Sequence, residues 1–505
     1  IIDPAHPHRV STGLAAFGTW ITAVGDDAEV IQLAGPTTRV VDLENGVALP
    51  GFIDSHCHLV GSARAALNVT IAADAAPTAV VRKLQRAIDD LSPDDWIIGR
   101  GWNDALWSQR AHKKILDTVL PSRKICLWSY CGHAAWLSSS GLAAAGIDRH
   151  TADVPGGIIE RDADGELTGV LRENATRLAS DRIPAPSDKA LRRSAKTVMT
   201  GFRRAGIVGI HTMDRLSETL PLLSKHTDAD PLPVRALVAL YPTDLDAVEQ
   251  LGASFGFGDA VRFGPVKVFL DGSFGARSAW VSTPYDDNGS VGFPTLDRAA
   301  LDGIVRRANR LGFPVAAHAI GDRAVAMALD SFQSAGDRRI VNRVEHASII
   351  APDDIRRFRK LNVAASVQPS FIAADRPAIE SYWGLDGVRR AYPFKSLMAS
   401  GARVAFGSDS PVEPPSAVVQ LRQAVRRSGE DDRRESINLG QAIRSSTIIP
   451  AMLAGDMKAG RLRPGYRADV TVFSGNPYDP KTVNDPGFEV VGVVVRGKYW
   501  PSRRK

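Results

Sequence analysis

Cysteine is nearly missing from this chain: Cys57, Cys126 and Cys131 are the only three among 505 residues. An odd count without CxxC spacing excludes a disulfide framework and fits a reducing compartment, so a cytoplasmic location is expected. Long apolar runs are missing too. None reaches the roughly 18 residues that cross a bilayer, so no membrane-spanning helix is expected. There is no internal repeat, no low-complexity tract and no basic stripe. The net charge is +6 with a pI of about 9.2, but the arginines are scattered, in short pieces such as Arg306-Arg307 and the tail "SRRK". Short pieces of this kind are solvated helix faces and a chain end, so neither nucleic acid nor membrane is expected as a partner.

What is present is the composition of a globular protein, 44% apolar and 23% charged. The length exceeds one ordinary domain, although a large α/β barrel with insertions accommodates most of it. Residues 1–50 alternate short apolar runs with Gly and Asp, as in "WITAVGD" and "TRVVDLENG", and the far end repeats this in "ADVTVFSG" and "FEVVGVVVRGKYW". Two β-rich ends around a long middle predict one small sandwich from residues 1–50 and 455–505. From about residue 297, helical and strand patterns alternate: "LDRAALDGIVRRANRLG", "FPVAAHAIGD", "RAVAMALDSFQSAG", "RIVNRVEHASI", "APDDIRRFRKLN", "VAASVQPS", "PFKSLMASG", "ARVAFGSDSP". That alternation predicts parallel strands with crossover helices, here a (β/α)₈ barrel over residues 51–454. Between the first strand (51–57) and "AGIVGIHTMD" (205–214) lie about 150 residues, too many for one connection. They predict an inserted subdomain at about 65–200, rich in Trp and turns, that shapes substrate access as a lid. Within it, "RDADGELTG" reads as a hairpin turning at Asp164-Gly165.

In a barrel of this class, active sites sit at the C-terminal ends of the strands. Those ends carry His56 and His58 in "GFIDSHCHLVGS", Lys267 in "PVKVFLDG", His318 in "AAHAIGD", His346 in "VEHAS" and Asp409 in "AFGSDSP". His56 and His58, two apart on a strand, share a face, and Cys57 turns away. Each residue has a plain reading: a hydrogen-bonded core histidine, a turn-capping aspartate, a lysine paired with Asp271 or Asp409. Four of the eleven histidines at strand ends is nevertheless an enrichment, and this nitrogen and oxygen donor set suits a divalent ion such as Zn²⁺. An ammonium cannot ligate a cation. A lysine buried beside metal charge loses its proton, and the neutral amine takes up carbon dioxide to become a carbamate that bridges two ions.

HxH after strand 1, Lys after strand 4, His after strands 5 and 6 and Asp after strand 8 together resemble the amidohydrolase superfamily. The flanks "VVDLENGVALPGFIDSHCH" and "GRLRPGYRADVTVF" agree, and "VKVFLDG" is similar to the lysine segment of the hydantoinases. "GRGW", "GHAAWLSS", "PGGIIERDADGELTGVL", "KVFLDGSFGARSA", "HAIGDRA", "EHA", "QPS" and "GSDSPVE" resemble the amidohydrolase-3 branch, which holds YtcJ-like proteins and N-substituted formamide deformylases. The resemblance implies a TIM-like metal-dependent hydrolase barrel with one or two ions. His56, His58 and Asp409 would hold the more buried ion, His318 and His346 the second, and carbamylated Lys267 would bridge. It implies hydrolysis of an amide, N-formyl or N-acyl C–N bond of a small molecule, with Asp409 moving the proton. Trp102, His133, Arg277, Asp322 and Gln368 are the expected substrate contacts. A mononuclear deaminase of the same superfamily and a non-catalytic barrel are the alternatives, and a homodimer is the expected assembly.

Overall fold

The computed structural model describes residues 1–72, 75–87, 94–102, 107, 110–129, 134–155, 157–224, 230–275, 277–286, 289–427 and 429–502. The chain divides into two compact units, one formed by Ile1–Ser62 with Ala195–Lys505 and the other by Ala63–Ser194.

The first unit is organised by eight parallel strands, each hydrogen-bonded to the next in chain order: β1 (Phe52–Cys57), β2 (Ile207–Thr212), β3 (Arg235–Leu240), β4 (Val261–Phe269), β5 (Val315–Ala319), β6 (Arg343–His346), β7 (Ala364–Val367) and β8 (Arg403–Phe406). These are near-continuous apolar runs, as strands covered on both faces must be; β2, β6 and β7 are buried at every position. Helices Arg298–Arg310, Asp322–Ser334 and Pro352–Lys360 return the chain between strands. The first of them buries Leu301, Val305 and Ala308, an i, i+4, i+7 stripe. The pattern reading does not anticipate Phe371–Arg390, which is helical around a kink at Trp383 and Gly384 and carries Pro377 inside. At the strands' C-terminal end the barrel is stitched shut: Asp409 N–H donates to the His56 carbonyl and His58 N–H to the Ser410 carbonyl, both at 2.7 Å. Gly407 permits this approach, because a Cβ there would lie 2.6 Å from the His56 nitrogen. The sheet is a near-closed, TIM-like parallel barrel.

The chain's two ends meet in the same unit. Val47–Pro50 pairs antiparallel with Val470–Phe473, which pairs with Val490–Val495, and that strand with Lys498–Pro501. The hairpin Gly13–Phe17/Trp20–Gly25 lies against it: Ile21 N–H donates to the Tyr466 carbonyl and Ala468 N–H to the Thr19 carbonyl. Ile21, Ala48, Leu462, Ala468, Val470 and Val472 fill the space between.

The second unit is a six-stranded sheet in the order Val69–Thr70, Ile97–Trp102, Ile125–Ser129, Ala134–Leu137, Leu167–Glu173, Gly157–Arg161. The hairpin expected at Asp164-Gly165 is there, with Gly165 at φ +78° and the Asp162 carboxylate accepting from the amides of Asp164 and Glu166. Among the described residues no helix is long and apolar enough to cross a membrane.

Candidate metal centre

At the barrel's C-terminal end the side chains of His56, His58 and Asp409 converge, one ligand atom of each lying within 4.8 Å of the others. Alternation along β1 turns both imidazoles the same way, with ring centroids 5.5 Å apart. Asp409 reaches them from a left-handed turn at φ +57°, a conformation that Asp tolerates better than most residues. Its Oδ1 stands 3.4 Å from His56 Nε2 and 3.3 Å from His58 Nε2. Each ring is anchored from behind by a carboxylate. His56 Nδ1 is 2.6 Å from Glu345 Oε2, and His58 Nδ1 is 3.4 Å from Asp214 Oδ1. A proton on Nδ1 leaves Nε2 as a lone pair, so two lone pairs face one carboxylate oxygen, an arrangement that only a positive charge among them relieves. His56 Nε2 is buried and has no hydrogen-bond partner. A second proton on His58 would be one such charge: desolvation lowers its pKa, yet hydrogen bonds to Asp214 and Asp409 lift it to about 9. The donor set therefore fits a divalent cation.

Three further groups lie beside this cluster. The His346 ring is 4.8 Å from that of His56 and 4.4 Å from that of His318. Gln368 Oε1 lies 2.9 Å from His346 Nδ1, and the Gly272 carbonyl 3.1 Å from His318 Nε2. A carbonyl only accepts, so the lone pair is left on Nε2 of His346 and Nδ1 of His318. Desolvation, with the charge of Lys267 on His318 and neighbouring imidazoles on His346, keeps both rings neutral; His318 is pushed down to about 3. Lys267 is 1% exposed, and its Nζ has no hydrogen-bond partner among the described residues. Desolvation pulls its pKa down to about 8 although Glu345 and Asp409 oppose this. The plain alternative, an ammonium paired with Asp271 or Asp409, does not form. Asp271 is instead engaged by the backbone N–H groups of Trp280, Ile320 and Gly321, tying the loops after β4 and β5 together.

The expected substrate contacts fare differently. Trp102 is a core residue of the second unit, 1% exposed, packed on Trp107 and Trp136, with its indole N–H donated to the Leu127 carbonyl at 2.6 Å. Its ring is packed into the core cluster of that unit. His133 lies outside the described residues. Arg277 adopts φ +52° and stacks its guanidinium 5.1 Å from the Tyr382 ring centre. Asp322 accepts from the amide and hydroxyl of Ser282, a loop tie. Gln368 orients His346, and its Nε2 has no hydrogen-bond partner among the described residues.

Sequence reasoning missed the residues behind the ligands. Glu345 is fully buried between His56 and Arg343, whose Nε lies 2.5 Å from Glu345 Oε1, and Arg343 Nη1 reaches His211 Nδ1 at 3.1 Å. Alternation would send Glu345 and His346 to opposite sides, but His346 sits at φ +72° and the strand bends there. Asp214, at the end of "HTMD", carried the same signal as the candidate ligands, a polar residue closing a strand. Glu345→Gln strands Arg343 as an uncompensated buried cation and is expected to destabilise the chain by about 3–5 kcal/mol. The urea midpoint measures it, and an unchanged midpoint overturns the expectation.

Comparison with known proteins agrees with this geometry. The signature of the Amidohydrolase family matches residues 39–500. YtcJ of Bacillus subtilis (strain 168) is 31% identical over 490 residues, covering 92% of this chain and 91% of that protein. The N-substituted formamide deformylase of Arthrobacter pascens is 26% identical over 514 residues, covering 95% of this chain and 93% of the enzyme. The crystal structure of a metal-dependent hydrolase from Pyrococcus furiosus superposes with a TM-score of 0.78 at 26% identity, covering 93% of this chain and 96% of that one. With its barrel, its ligand cluster and a family signature spanning nearly its whole length, the chain belongs to the amidohydrolase family.

Proposed function

We propose that this amidohydrolase-family protein hydrolyses an amide-type C–N bond, N-formyl or N-acyl, of a small molecule. The observation that carries the reading is the convergence of His56, His58 and Asp409, with two carboxylate-backed imidazoles facing one aspartate oxygen. His56, His58 and Asp409 would hold one divalent ion, with Zn²⁺ best suited to the donors; His318, His346 and carbamylated Lys267 would complete a second site. Bound there, the metal supplies an acidified water as nucleophile and a positive charge for the substrate carbonyl oxygen.

The chain's own residues do the remainder. Glu345 and Asp214 fix which nitrogen of His56 and His58 faces the centre, so the ligands are set before substrate arrives. Asp409 accepts the proton of the attacking water on its carboxylate and delivers it to the leaving nitrogen. The carboxylate is ionised for this, since the facing imidazoles of His56 and His58 outweigh its desolvation and hold its pKa well below the usual range. The Lys267 amine, without a hydrogen-bond partner among the described residues, is the group that would take up carbon dioxide. A relative of similar length carries the name N-substituted formamide deformylase, which supports the choice of bond, and a cytoplasmic homodimer is the setting we expect.

Metal analysis of the purified chain, with a screen of N-formyl amines, N-acyl amino acids and cyclic amides, tests the reading. One or two zinc ions per chain and amine release from one of these classes are expected. Metal-loaded protein that releases ammonia from aminated heterocycles, and leaves every amide intact, makes it a deaminase instead.

A further inference from the structure

A pocket of about 40 Å³ lies in the first unit between β1–β4 and the segment 451–469, and the mechanism above makes no use of it. His211, Arg235, Arg262, Asp456 and Asp469 are the titratable residues of its wall. Both carboxylates are already filled. Asp469 accepts from Arg235 Nε at 2.6 Å and from the Arg496 amide at 2.7 Å. Asp456 accepts from Arg262 Nη1 at 2.7 Å, from Arg467 Nε at 2.5 Å and from the Lys458 amide at 3.2 Å.

The donors are not filled. Arg235 Nη2, Arg262 Nε and His211 Nε2 are buried without a hydrogen-bond partner among the described residues. The state of His211 follows from its other nitrogen. Nδ1 lies 3.1 Å from the Arg343 guanidinium, which can only donate, so Nδ1 carries the lone pair and Nε2 carries the hydrogen. His211 is 1% exposed, and Arg343, its partner on the Nδ1 side, is not part of the wall, so the Nε2 edge is the one the pocket meets. Three N–H-bearing nitrogens are left over with no side-chain acceptor to take them. Nearby, Arg235, Arg262, Arg467 and Arg496 face Asp259, Asp456 and Asp469, leaving one positive charge uncompensated. Water both donates and accepts, whereas a monovalent anion only accepts, which is what this wall lacks. About 40 Å³ is also the space of a few waters or one halide.

We infer that this pocket is a binding site for a small monovalent anion of chloride size, held by His211 Nε2, Arg235 Nη2 and Arg262 Nε. Crystals of the full chain grown in bromide are expected to show an anomalous peak in the pocket within hydrogen-bond distance of His211 Nε2. In solution, a ligand of the folded state raises the melting temperature with its concentration. For a chain this long the rise is about 1 °C per tenfold increase in chloride beyond its dissociation constant. Sodium gluconate at matched ionic strength, too large for the pocket, gives no such rise. Arg235→Lys keeps the charge but deletes Nη2, and His211→Phe deletes the neutral donor; each removes the halide-dependent part of the shift. Should His211→Phe fail to fold, Arg235→Lys and the bromide map carry the test. Water density alone in the pocket, or equal stabilisation by gluconate, overturns the inference.

Discussion

Asp409→Asn is expected to lower kcat by about three orders of magnitude while leaving the barrel folded. The size is that of a positioned general acid–base, about 10²–10⁴-fold. The substitution is well suited to the test because the backbone does not object to it. Asp409 sits at φ +57°, where Asn is as comfortable as Asp, and its N–H bond to the His56 carbonyl is untouched. What goes is the carboxylate that faces both Nε2 atoms and that would hold the proton. Measured per bound ion, the loss separates proton transfer from ligation; circular dichroism and the melting temperature report the fold. A variant with full metal and near-native kcat would sink the assignment of Asp409 as the proton carrier.

The residues at issue also show what can be read in a sequence and what cannot. Strand ends are legible, because an apolar run that breaks into a polar residue before the next helix marks the barrel's chemical face. His56, His58, Lys267, His318, His346 and Asp409 all stood out that way, and His56, His58 and Asp409 are indeed brought together. The groups behind them are legible only in part. Glu345 directly precedes His346, and a strict two-residue period hides it. Its role exists because His346 turns to φ +72°, which no local pattern announces. Arg343 is 1% exposed, because its partners Glu345 and His211 lie on and across the barrel, and nothing in its local sequence announces either. Trp102 shows the opposite limit. A motif near a strand end suggested a pocket, while the ring's large apolar surface was needed for the core of the second unit. Linear spacing tells which side chains share a face. It does not tell which long-range partner spends a donor, and that spending separates a site residue from a core residue.

Lys267 poses the sharper question, since its amine is buried without a hydrogen-bond partner among the described residues and so costs stability unless it is chemically changed. Lys267→Met fills the same space with an apolar chain, and the melting temperature is expected to hold or rise, because replacing an isolated buried charge by a hydrophobe relieves its desolvation. Activity should move the other way, falling by about 10²–10³-fold, as losing a ligand worth several kcal/mol implies, with metal content dropping from two ions towards one. Lys267→Ala leaves a hole where the carbamate would stand. A short carboxylic acid such as formate or acetate fits that hole and supplies the missing oxygens, so it should restore part of the lost turnover and metal, and should do nothing for Lys267→Met. Native mass spectrometry of the unsubstituted chain, before and after stripping of carbon dioxide, reads the modification directly. If Lys267→Met keeps full metal and turnover, the lysine is a spectator and the centre holds a single ion on His56, His58 and Asp409.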